Sequence, residues 1–333
     1  MNRESIVNTM RAIVNTGPGE LRWTERPLPQ PGPGQVRIRT GACGICATDL
    51  HMIAGWQRTG FPAIPGHEWS GIIDAIGDNV PSELLGRRCV GQNVLKDGGE
   101  IGFEHPGGYG EYLITEAPNL YLLPDDFPFS LAALIEPLAV AVRGIRRLRI
   151  ADLRGALVFG DGVIGLLMLL LLRRAGVEKV VVIGGRAGRL ALAREFGAAA
   201  TVNYHRAGDD LVAAIMETEG RSFPNIVEAS GSSRAIQAAL EIIAPEGHIL
   251  ILGDYEETHA NFLWNHLLHR EIELIGSNAS AGAWSEAVSL AVSGELPLQR
   301  LVTQRLPAEH FAEGIELVRS RKDNVVKVVL EWL

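Results

Sequence analysis

Residues 156–165 read Ala-Leu-Val-Phe-Gly-Asp-Gly-Val-Ile-Gly, and this stretch decides the fold of the second half of the chain. Four apolar residues predict a short buried strand, the glycines a tight turn, and the apolar run to about Ala175 a long helix. The glycines follow a G-x-G-x-x-G pattern placed directly between strand and helix, which is the context that dinucleotide binding requires.

Each glycine of this loop has a physical role in such a site. Gly160 permits the tight turn, Gly162 lets the backbone approach a pyrophosphate, and Gly165 lets the helix pack closely on the strand. Val163 and Ile164 open the helix, whose free N–H groups and positive dipole end favour phosphate. The alternative interpretation is an ordinary glycine-rich connection between a strand and a helix.

The chain around this loop predicts an α/β fold. Strands and helices alternate through the second half, which predicts a Rossmann-type doubly wound parallel sheet. The first third is rich in Gly and Pro with short alternating apolar runs, which predict antiparallel strands. Further strands are expected at 179–183, 225–228, 248–252, 271–275 and 325–330, and helices at 189–196, 233–243, 284–293 and 308–319.

The end of the strand at 179–183 bears on the choice of nicotinamide cofactor. NAD-selective sites place Asp or Glu there to bind the ribose 2′-hydroxyl. Here the chain continues Gly184-Gly185-Arg186, so we expect no carboxylate to repel a 2′-phosphate, and a guanidinium to bind it. Tyr204 is expected to flank the adenine or the phosphate. We therefore expect NADP(H) in preference to NAD(H), although Arg186 could instead be a solvated loop charge.

Composition narrows the functional class. The 333 residues carry 31 Lys and Arg against 39 Asp and Glu, a net charge of −8 without a basic cluster, so nucleic acid is not an expected partner. Residues 1–10 lack the apolar core of a signal peptide, and the apolar run 163–172 is too short to span a membrane. Three cysteines are too few for a disulfide framework and favour a reducing, cytoplasmic setting.

Two phrases in the first third carry metal chemistry. Cys46 is followed by Ala47-Thr48-Asp49-Leu50-His51, and His67-Glu68 follows Gly66. Thiolate, imidazole and carboxylate are suitable ligands for a catalytic zinc, which keeps one position open. Alone, the cysteine would more often be a small buried hydrophobe and the histidine a structural residue; together, upstream of a dinucleotide fold, they are far more specific.

With these motifs the chain resembles the zinc-containing medium-chain dehydrogenase/reductase superfamily, near its sorbitol, threonine and glucose dehydrogenase branch. The resemblance covers nearly the whole chain and includes both metal phrases, the glycine loop and the segments 136–140, 228–231 and 327–330. It implies a GroES-like β domain at 1–143 and 280–333, and a Rossmann dinucleotide-binding domain at 144–279. It also implies a cytoplasmic homodimer or homotetramer.

The resemblance implies one catalytic zinc ion. Cys46 and His67 match zinc ligands, and Glu68 and Glu136 share or exchange the remaining positions. Glu136 could alternatively be a first-turn carboxylate stabilised by the helix dipole. Many members of the family carry a structural zinc on four cysteines, but residues 88–109 hold only Cys89, so no structural zinc is expected.

The implied reaction is hydride transfer between an alcohol, polyol or sugar and the nicotinamide. By resemblance, the Thr48 hydroxyl contacts the substrate oxygen, His51 passes the proton to solvent, and Glu68 supports the catalytic centre. Trp56, Phe61 and Trp69 are candidates for the substrate wall or, equally, for the core. Two alternatives stay open: a zinc-free quinone or enoyl reductase, and a non-catalytic NADP(H)-binding protein on the same fold.

Overall fold

The computed structural model describes residues 8–208, 210–219, 222–320 and 324–333. It forms two compact units: Met1–Glu136 with Trp284–Leu333, and Pro137–Ala283. The expectation about a signal peptide rests partly on residues 1–7, which lie outside the described residues. The domain boundaries expected at 143/144 and 279/280 stay a prediction.

The elements follow in chain order. The strands are β1 Thr9–Gly17, β2 Glu20–Pro27, β3 Gln35–Ile45, β4 Glu68–Ile76, β5 Arg88–Gly91, β6 Tyr112–Glu116, β7 Leu120–Leu122, β8 Ala156–Phe159, β9 Val180–Gly184, β10 Ala200–Asn203, β11 Phe223–Glu228, β12 Ile243–Ile251, β13 Glu273–Gly276, β14 Val302–Pro307 and β15 Lys327–Glu331. The α-helices are α1 Ala47–Ala54, α2 Phe129–Ala132, α3 Ile135–Leu148, α4 Val163–Arg174, α5 Ala187–Glu195, α6 Leu211–Glu219, α7 Ser233–Ile242, α8 Asn265–Arg270, α9 Trp284–Ser293 and α10 Phe311–Ser320.

The first unit is a β domain of the GroES-like type. Its main sheet has the order β14-β15-β3-β4-β5-β7, with β6 also paired to β3, and β1 and β2 form a separate two-stranded ribbon. Most pairings are antiparallel, but β14 and β15 run parallel. Gly44 of β3 faces Glu68 of β4, and Val328 of β15 faces Ile45. The end of β3 and the starts of β4 and β15 therefore meet at one place.

The second unit holds a six-stranded parallel sheet with the order β10-β9-β8-β11-β12-β13. The order reverses between β8 and β11, and ligands of such sheets bind at the carboxyl ends of the strands at that point. The loop after β8 is the glycine loop. In α4, every residue from Gly165 to Leu172 is buried. The α/β fold class expected from the sequence is confirmed.

None of the described helices combines the length and apolar character that crossing a membrane demands.

Candidate functional site

One group of side chains in the described residues can hold a metal ion. Ligand atoms of Cys46, His67 and Glu68 lie within 4.8 Å of one another. Cys46 is the residue before α1, and His67 and Glu68 stand at the start of β4. The sequence placed these three residues in two separate phrases, and the turn after β3 brings the phrases together.

Gly44, two residues before Cys46, leaves room for the carboxylate of Glu68. Gly44 lies opposite Glu68, and a Cβ atom on Gly44 would fall 2.1 Å from Oε2 of Glu68. Any larger residue at 44 would occupy the space of that carboxylate. The Gly44 position is therefore fixed by the site and not by backbone conformation.

Asp49 is a buried carboxylate that the sequence reasoning did not single out. Its Oδ2 accepts a hydrogen bond from the Cys46 backbone N–H at 2.8 Å and one from the Tyr109 hydroxyl at 3.3 Å. Its Oδ1 lies 3.2 Å from Nδ1 of His67, and neither atom has another hydrogen-bond partner among the described residues. Asp49 thus ties the cysteine to the histidine by contacts on both sides.

The charge around His67 is strongly negative. Burial alone would lower the pKa of His67, but the charges and contacts of Asp49 and Cys46 raise it well above its usual value. The imidazole therefore lies where positive charge is stabilised. A bound cation would meet the same demand.

Lys327 belongs to the segment 327–330 near the C-terminus, for which the sequence predicted no role in the site. The structure brings it into contact with Glu68. Its Nζ lies 2.7 Å from both carboxylate oxygens of Glu68 and donates to the carbonyl of Ile45 at 3.2 Å. Both side chains are almost fully buried. Burial lowers the pKa of Lys327, but the charge and hydrogen bonds of Glu68, together with the charges of Cys46 and Asp49, outweigh it and raise that pKa.

Glu136 interacts electrostatically with His67, Glu68 and Lys327 but is not one of the residues whose ligand atoms converge. It stands in the first turn of α3. The pKa of Glu136 is raised to about 7, chiefly by burial and also by the charge of Glu68, against the opposing charges of His67 and Lys327. A cation beside this carboxyl group would favour its ionised form, which is the form that binds a metal.

The residues present fit zinc. Thiolate, imidazole and carboxylate are its usual ligands, and ligating histidines commonly rest against a carboxylate, as His67 does against Asp49. Nδ1 of His67 and Oδ1 of Asp49 face each other at 3.2 Å beside this donor set, which leaves Nε2 of His67 as the nitrogen available to a metal. Glu68 is the exception, because both of its oxygens already accept from Lys327.

Helix α1 carries the two residues expected to handle the proton. Oγ1 of Thr48 lies 3.6 Å from Sγ of Cys46, so the hydroxyl is beside the metal-capable group. His51 follows one turn later on the same helix and is partly buried. Their spacing of three residues puts both side chains on neighbouring positions of one helical face.

The aromatic candidates divide between core and surface. Trp69 is core, with its Nε1 donating to Asn93 at 2.9 Å, whereas Trp56 and Phe61 are exposed. Phe103, which the sequence reasoning missed, places its ring centroid 5.1 Å from that of His67. The only indication of Phe103 in the sequence was its place in residues 88–109, where many family members carry the four cysteines of a structural zinc site.

That segment is held by ion pairs among the described residues. Arg58 pairs with Glu100 at 2.7 Å and with Glu104 at 2.8 Å, and its guanidinium lies 4.4 Å from the ring centroid of Phe103. His105 pairs with Asp97 at 2.9 Å. The arginine therefore fastens the segment that presents Phe103 to His67.

The glycine loop in the second unit has the geometry its residues predict. A Cβ atom on Gly165 would lie 2.0 Å from the carbonyl oxygen of Gly160, so only glycine allows α4 to approach the loop this closely. At Gly162, where α4 is capped, a Cβ atom would meet nothing within 4 Å. The Gly162 carbonyl accepts from the Leu166 N–H at 2.9 Å, and the space beside its Cα atom is open to a ligand.

Gly184 leaves no side chain at the end of β9, as expected, but the expectation that no carboxylate lies there was wrong. The side chain of Asp161 points from the glycine loop toward Gly184. It fills the space that a side chain at 184 would need, since a Cβ atom on Gly184 would lie 2.5 Å from Oδ2 of Asp161. Arg186 is the residue before α5, and its Nη1 lies 3.2 Å from Oδ1 of Asp161. Charge of both signs is therefore present here.

Tyr204 lies against this same turn. A Cβ atom on Gly185 would fall 2.5 Å from the Tyr204 ring, and the Tyr204 N–H donates to the carbonyl of Gly184 at 3.0 Å. The tyrosine is 37% exposed, and the ring centroid of His205 lies 4.2 Å from its own. Part of the Tyr204 side chain is therefore accessible. A planar ligand group could pack on that part.

Comparison with protein families assigns each part of the chain. Residues 32–125 match the family described as alcohol dehydrogenase GroES-like domain, and residues 163–293 match the family described as zinc-binding dehydrogenase. The first match contains Cys46, His67 and Glu68. The second begins in the helix that follows the glycine loop.

Full-length relatives are similar over the whole chain. An L-threonine 3-dehydrogenase from Chelativorans sp. (strain BNC1) is 31% identical, with 98% of this chain and 100% of that protein covered. The structure resembles a short chain alcohol dehydrogenase from E. coli CFT073 complexed with NADH (TM-score 0.90, 25% identity, 97% and 99% covered). It also resembles a putative zinc-binding dehydrogenase from Sinorhizobium meliloti 1021 bound to NADP (TM-score 0.89, 26% identity, 97% and 99% covered).

Proposed function

Because this chain belongs to the zinc-containing medium-chain dehydrogenase/reductase superfamily, we propose that it transfers a hydride between a secondary alcohol, polyol or sugar and NADP(H). The observation that carries the proposal is the convergence of Cys46, His67 and Glu68 within 4.8 Å, with the Thr48 hydroxyl alongside. A quinone or enoyl reductase has no need of this donor set, and a non-catalytic NADP(H)-binding protein has no need of the hydroxyl.

In this proposal Cys46 and His67 hold one zinc ion, and no structural zinc is bound. When bound, the ion supplies positive charge that lowers the pKa of the substrate hydroxyl. Glu136 is the better candidate for the third position in the resting protein, because Lys327 already neutralises Glu68. Glu68 then acts from behind the site and can exchange with Glu136 only by leaving Lys327.

The protein's own residues supply the path for the proton. Thr48 accepts the proton of the substrate hydroxyl and passes on its own, and His51, one helical turn later and partly buried, delivers a proton to solvent. A histidine suits the last step because its ordinary pKa lies near neutrality. Phe103 against His67 forms an apolar side for the substrate.

We assign the nicotinamide cofactor to Gly160, Gly162, Val163 and Ile164 at the start of α4, and its ribose end to Gly184, Gly185, Arg186 and Tyr204. NADP(H) is favoured over NAD(H) because two guanidinium groups, those of Arg186 and Arg189, lie together at this turn and suit a 2′-phosphate. The two similar solved proteins hold NADH in one case and NADP in the other, so the choice depends on these local charges.

We also propose a homodimer or homotetramer built on the edge of the second unit's sheet. Among the described residues β13 pairs only with β12, which leaves its other edge open. Leu263, Trp264 and Leu268, just before this strand, are each exposed by more than 70%. An open edge beside large exposed apolar side chains is a surface that a second copy would cover.

The proposal is tested by metal analysis of the purified protein together with a panel of polyols, aldoses and secondary alcohols run with both cofactors. We expect one zinc per chain, loss of activity on chelation and recovery on adding zinc. Cys46→Ser should lose the metal, whereas Cys89→Ala, at a buried cysteine of β5, should keep it. Glu136→Gln should lower zinc content more than Glu68→Gln.

Two results would favour one of the alternative functions over the proposed one. Activity that survives chelation in a zinc-free preparation would favour the quinone or enoyl reductase. Cofactor binding without turnover of any alcohol or carbonyl in the panel would favour the non-catalytic protein.

A further inference from the structure

Asp161 occupies an unusual place for a residue of the glycine loop. Its side chain is 5% exposed, and its Oδ2 accepts hydrogen bonds from the backbone N–H groups of Gly185 and Arg186, both at 2.8 Å. Its Oδ1 faces the guanidinium of Arg186 at 3.2 Å and that of Arg189 at 3.7 Å. The loop after β8 is thereby tied to the start of α5.

A side chain at the end of β9 and the carboxylate of Asp161 exclude each other. A Cβ atom on Gly184 would lie 2.5 Å from both Cβ and Oδ2 of Asp161. In NAD-selective folds the strand-end residue supplies an acid to the ribose 2′-hydroxyl. Here the acid comes from the loop instead, and it enters the same space from the opposite side.

The hydrogen bonds of Asp161 decide what it can do. An ionised carboxylate offers about four acceptor positions. Two backbone N–H groups and two guanidinium groups already face this one, so little capacity is left for a ribose hydroxyl. The guanidinium groups of Arg186 and Arg189 that face this carboxylate are of the kind that binds a phosphate through charge-assisted hydrogen bonds.

We infer that Asp161 is a positioning residue that holds Arg186 and Arg189 ready for the 2′-phosphate of NADP(H). The inference rests on the proposed function. Both arginine side chains are mostly buried by these contacts, 19% and 12% exposed. Fixing them before the cofactor arrives reduces the ordering cost of binding. The opposite role for Asp161, repulsion of the 2′-phosphate, predicts a change of opposite sign.

The test measures the dissociation constants of NADP⁺ and NAD⁺ by isothermal titration calorimetry, which needs no turnover. The wild type should bind NADP⁺ more tightly. Asp161→Asn should weaken NADP⁺ about tenfold or more, as loss of a charge-assisted contact would, and change NAD⁺ less than threefold. Arg186→Ala should have the same selective effect, and the double variant should add little to it.

Three further variants separate the interpretations. Gly184→Ala should imitate Asp161→Asn, since its methyl group displaces the carboxylate without altering any charge. Arg189→Ala should also weaken NADP⁺ selectively, and it serves if Asp161→Asn fails to fold. Arg194→Ala, an exposed arginine in the last turn of the same helix, should leave both constants unchanged.

Tighter NADP⁺ binding by Asp161→Asn would overturn the inference and make Asp161 a repelling group. Equal weakening of both cofactors would overturn it as well, because a merely structural residue does not distinguish a 2′-phosphate. A wild type that binds NAD⁺ at least as tightly as NADP⁺ is a different failure, since it removes the cofactor choice in the proposed function before any variant is compared.

Discussion

Lys327 and Glu68 are a buried ion pair whose partners are separated by 259 positions in the sequence. Two charges removed from water are tolerated only while they compensate each other. The lysine also donates to the Ile45 carbonyl, which fixes its position at the end of β3. Because both side chains of the pair are almost fully buried, we expect loss of Lys327 to lower the free energy of unfolding.

We expect Lys327→Met to lower the free energy of unfolding of the metal-free protein by about 3–5 kcal/mol, because Glu68 is left buried and unpaired. Adding Glu68→Gln should restore much of that loss. Urea unfolding of the variants measures both effects.

The control is the exposed pair of Arg22 and Glu20, 3.2 Å apart. Arg22→Met should cost about 0–1 kcal/mol. A loss no larger at Lys327 would contradict the account of the buried pair.

The residue scale also separates what the sequence could reveal from what it could not. Cys46, His67 and Glu68 stand in short phrases whose chemistry is visible locally. Asp49 belongs to the first of these phrases, but only the structure shows that it contacts both Cys46 and His67. Asp161 was hidden for a different reason, because its direction depends on a space that Gly184 leaves open 23 positions away.

At the scale of elements, the short helix α1 joins the metal-capable cysteine to the proton path. Cys46 caps its start, Thr48 lies in its first turn and His51 in its last. The helix ends at Gly55, which adopts a left-handed conformation. One eight-residue helix therefore sets the distance between the thiol and the hydroxyl.

We expect Thr48→Ala to reduce kcat by about 10²–10⁴-fold, the usual contribution of a positioned proton-transfer group. Thr48→Ser, which keeps the hydroxyl, should stay within about tenfold of the wild type. Steady-state kinetics measures both, and zinc content and cofactor affinity should be unchanged. Equal activity in the alanine and serine variants would remove Thr48 from the proton path.

Periodicity predicted the existence and type of most elements in the second unit. Strand β8 and helix α9 begin and end at the predicted residues, because apolar pattern and flanking turns agree there. Helix α5 begins at Ala187, two residues before its predicted start. The cause is tertiary, since Asp161 binds the N–H groups just ahead of that helix.

At the scale of the whole molecule, the proposed assembly depends on a surface of the second unit. Helix α8 and the residues before it hold three large apolar side chains in solvent, a few residues ahead of β13, which pairs only with β12 among the described residues. Exposed apolar groups of this size scattered singly are common, but three in six residues form a patch.

We expect Trp264→Glu combined with Leu268→Glu to shift the protein to monomers, because the charges would be buried without partners in an interface. Light scattering coupled to size-exclusion chromatography gives the mass. Leu85→Glu, at an exposed leucine of the first unit, should leave the mass unchanged. A wild type that is already monomeric, or a charged variant that still assembles, would contradict the assignment.

The first unit is discontinuous in sequence, and this has a consequence for biosynthesis. Cys46, His67 and Glu68 are translated early, but β15 and Lys327 follow only after the whole second unit. Until then Glu68 lacks its counter-ion and β3 lacks a neighbour. On the ribosome, the early segment would present Cys46, His67 and Glu68 in an unfinished sheet, so the metal-capable group is expected to be complete only after translation has passed residue 327.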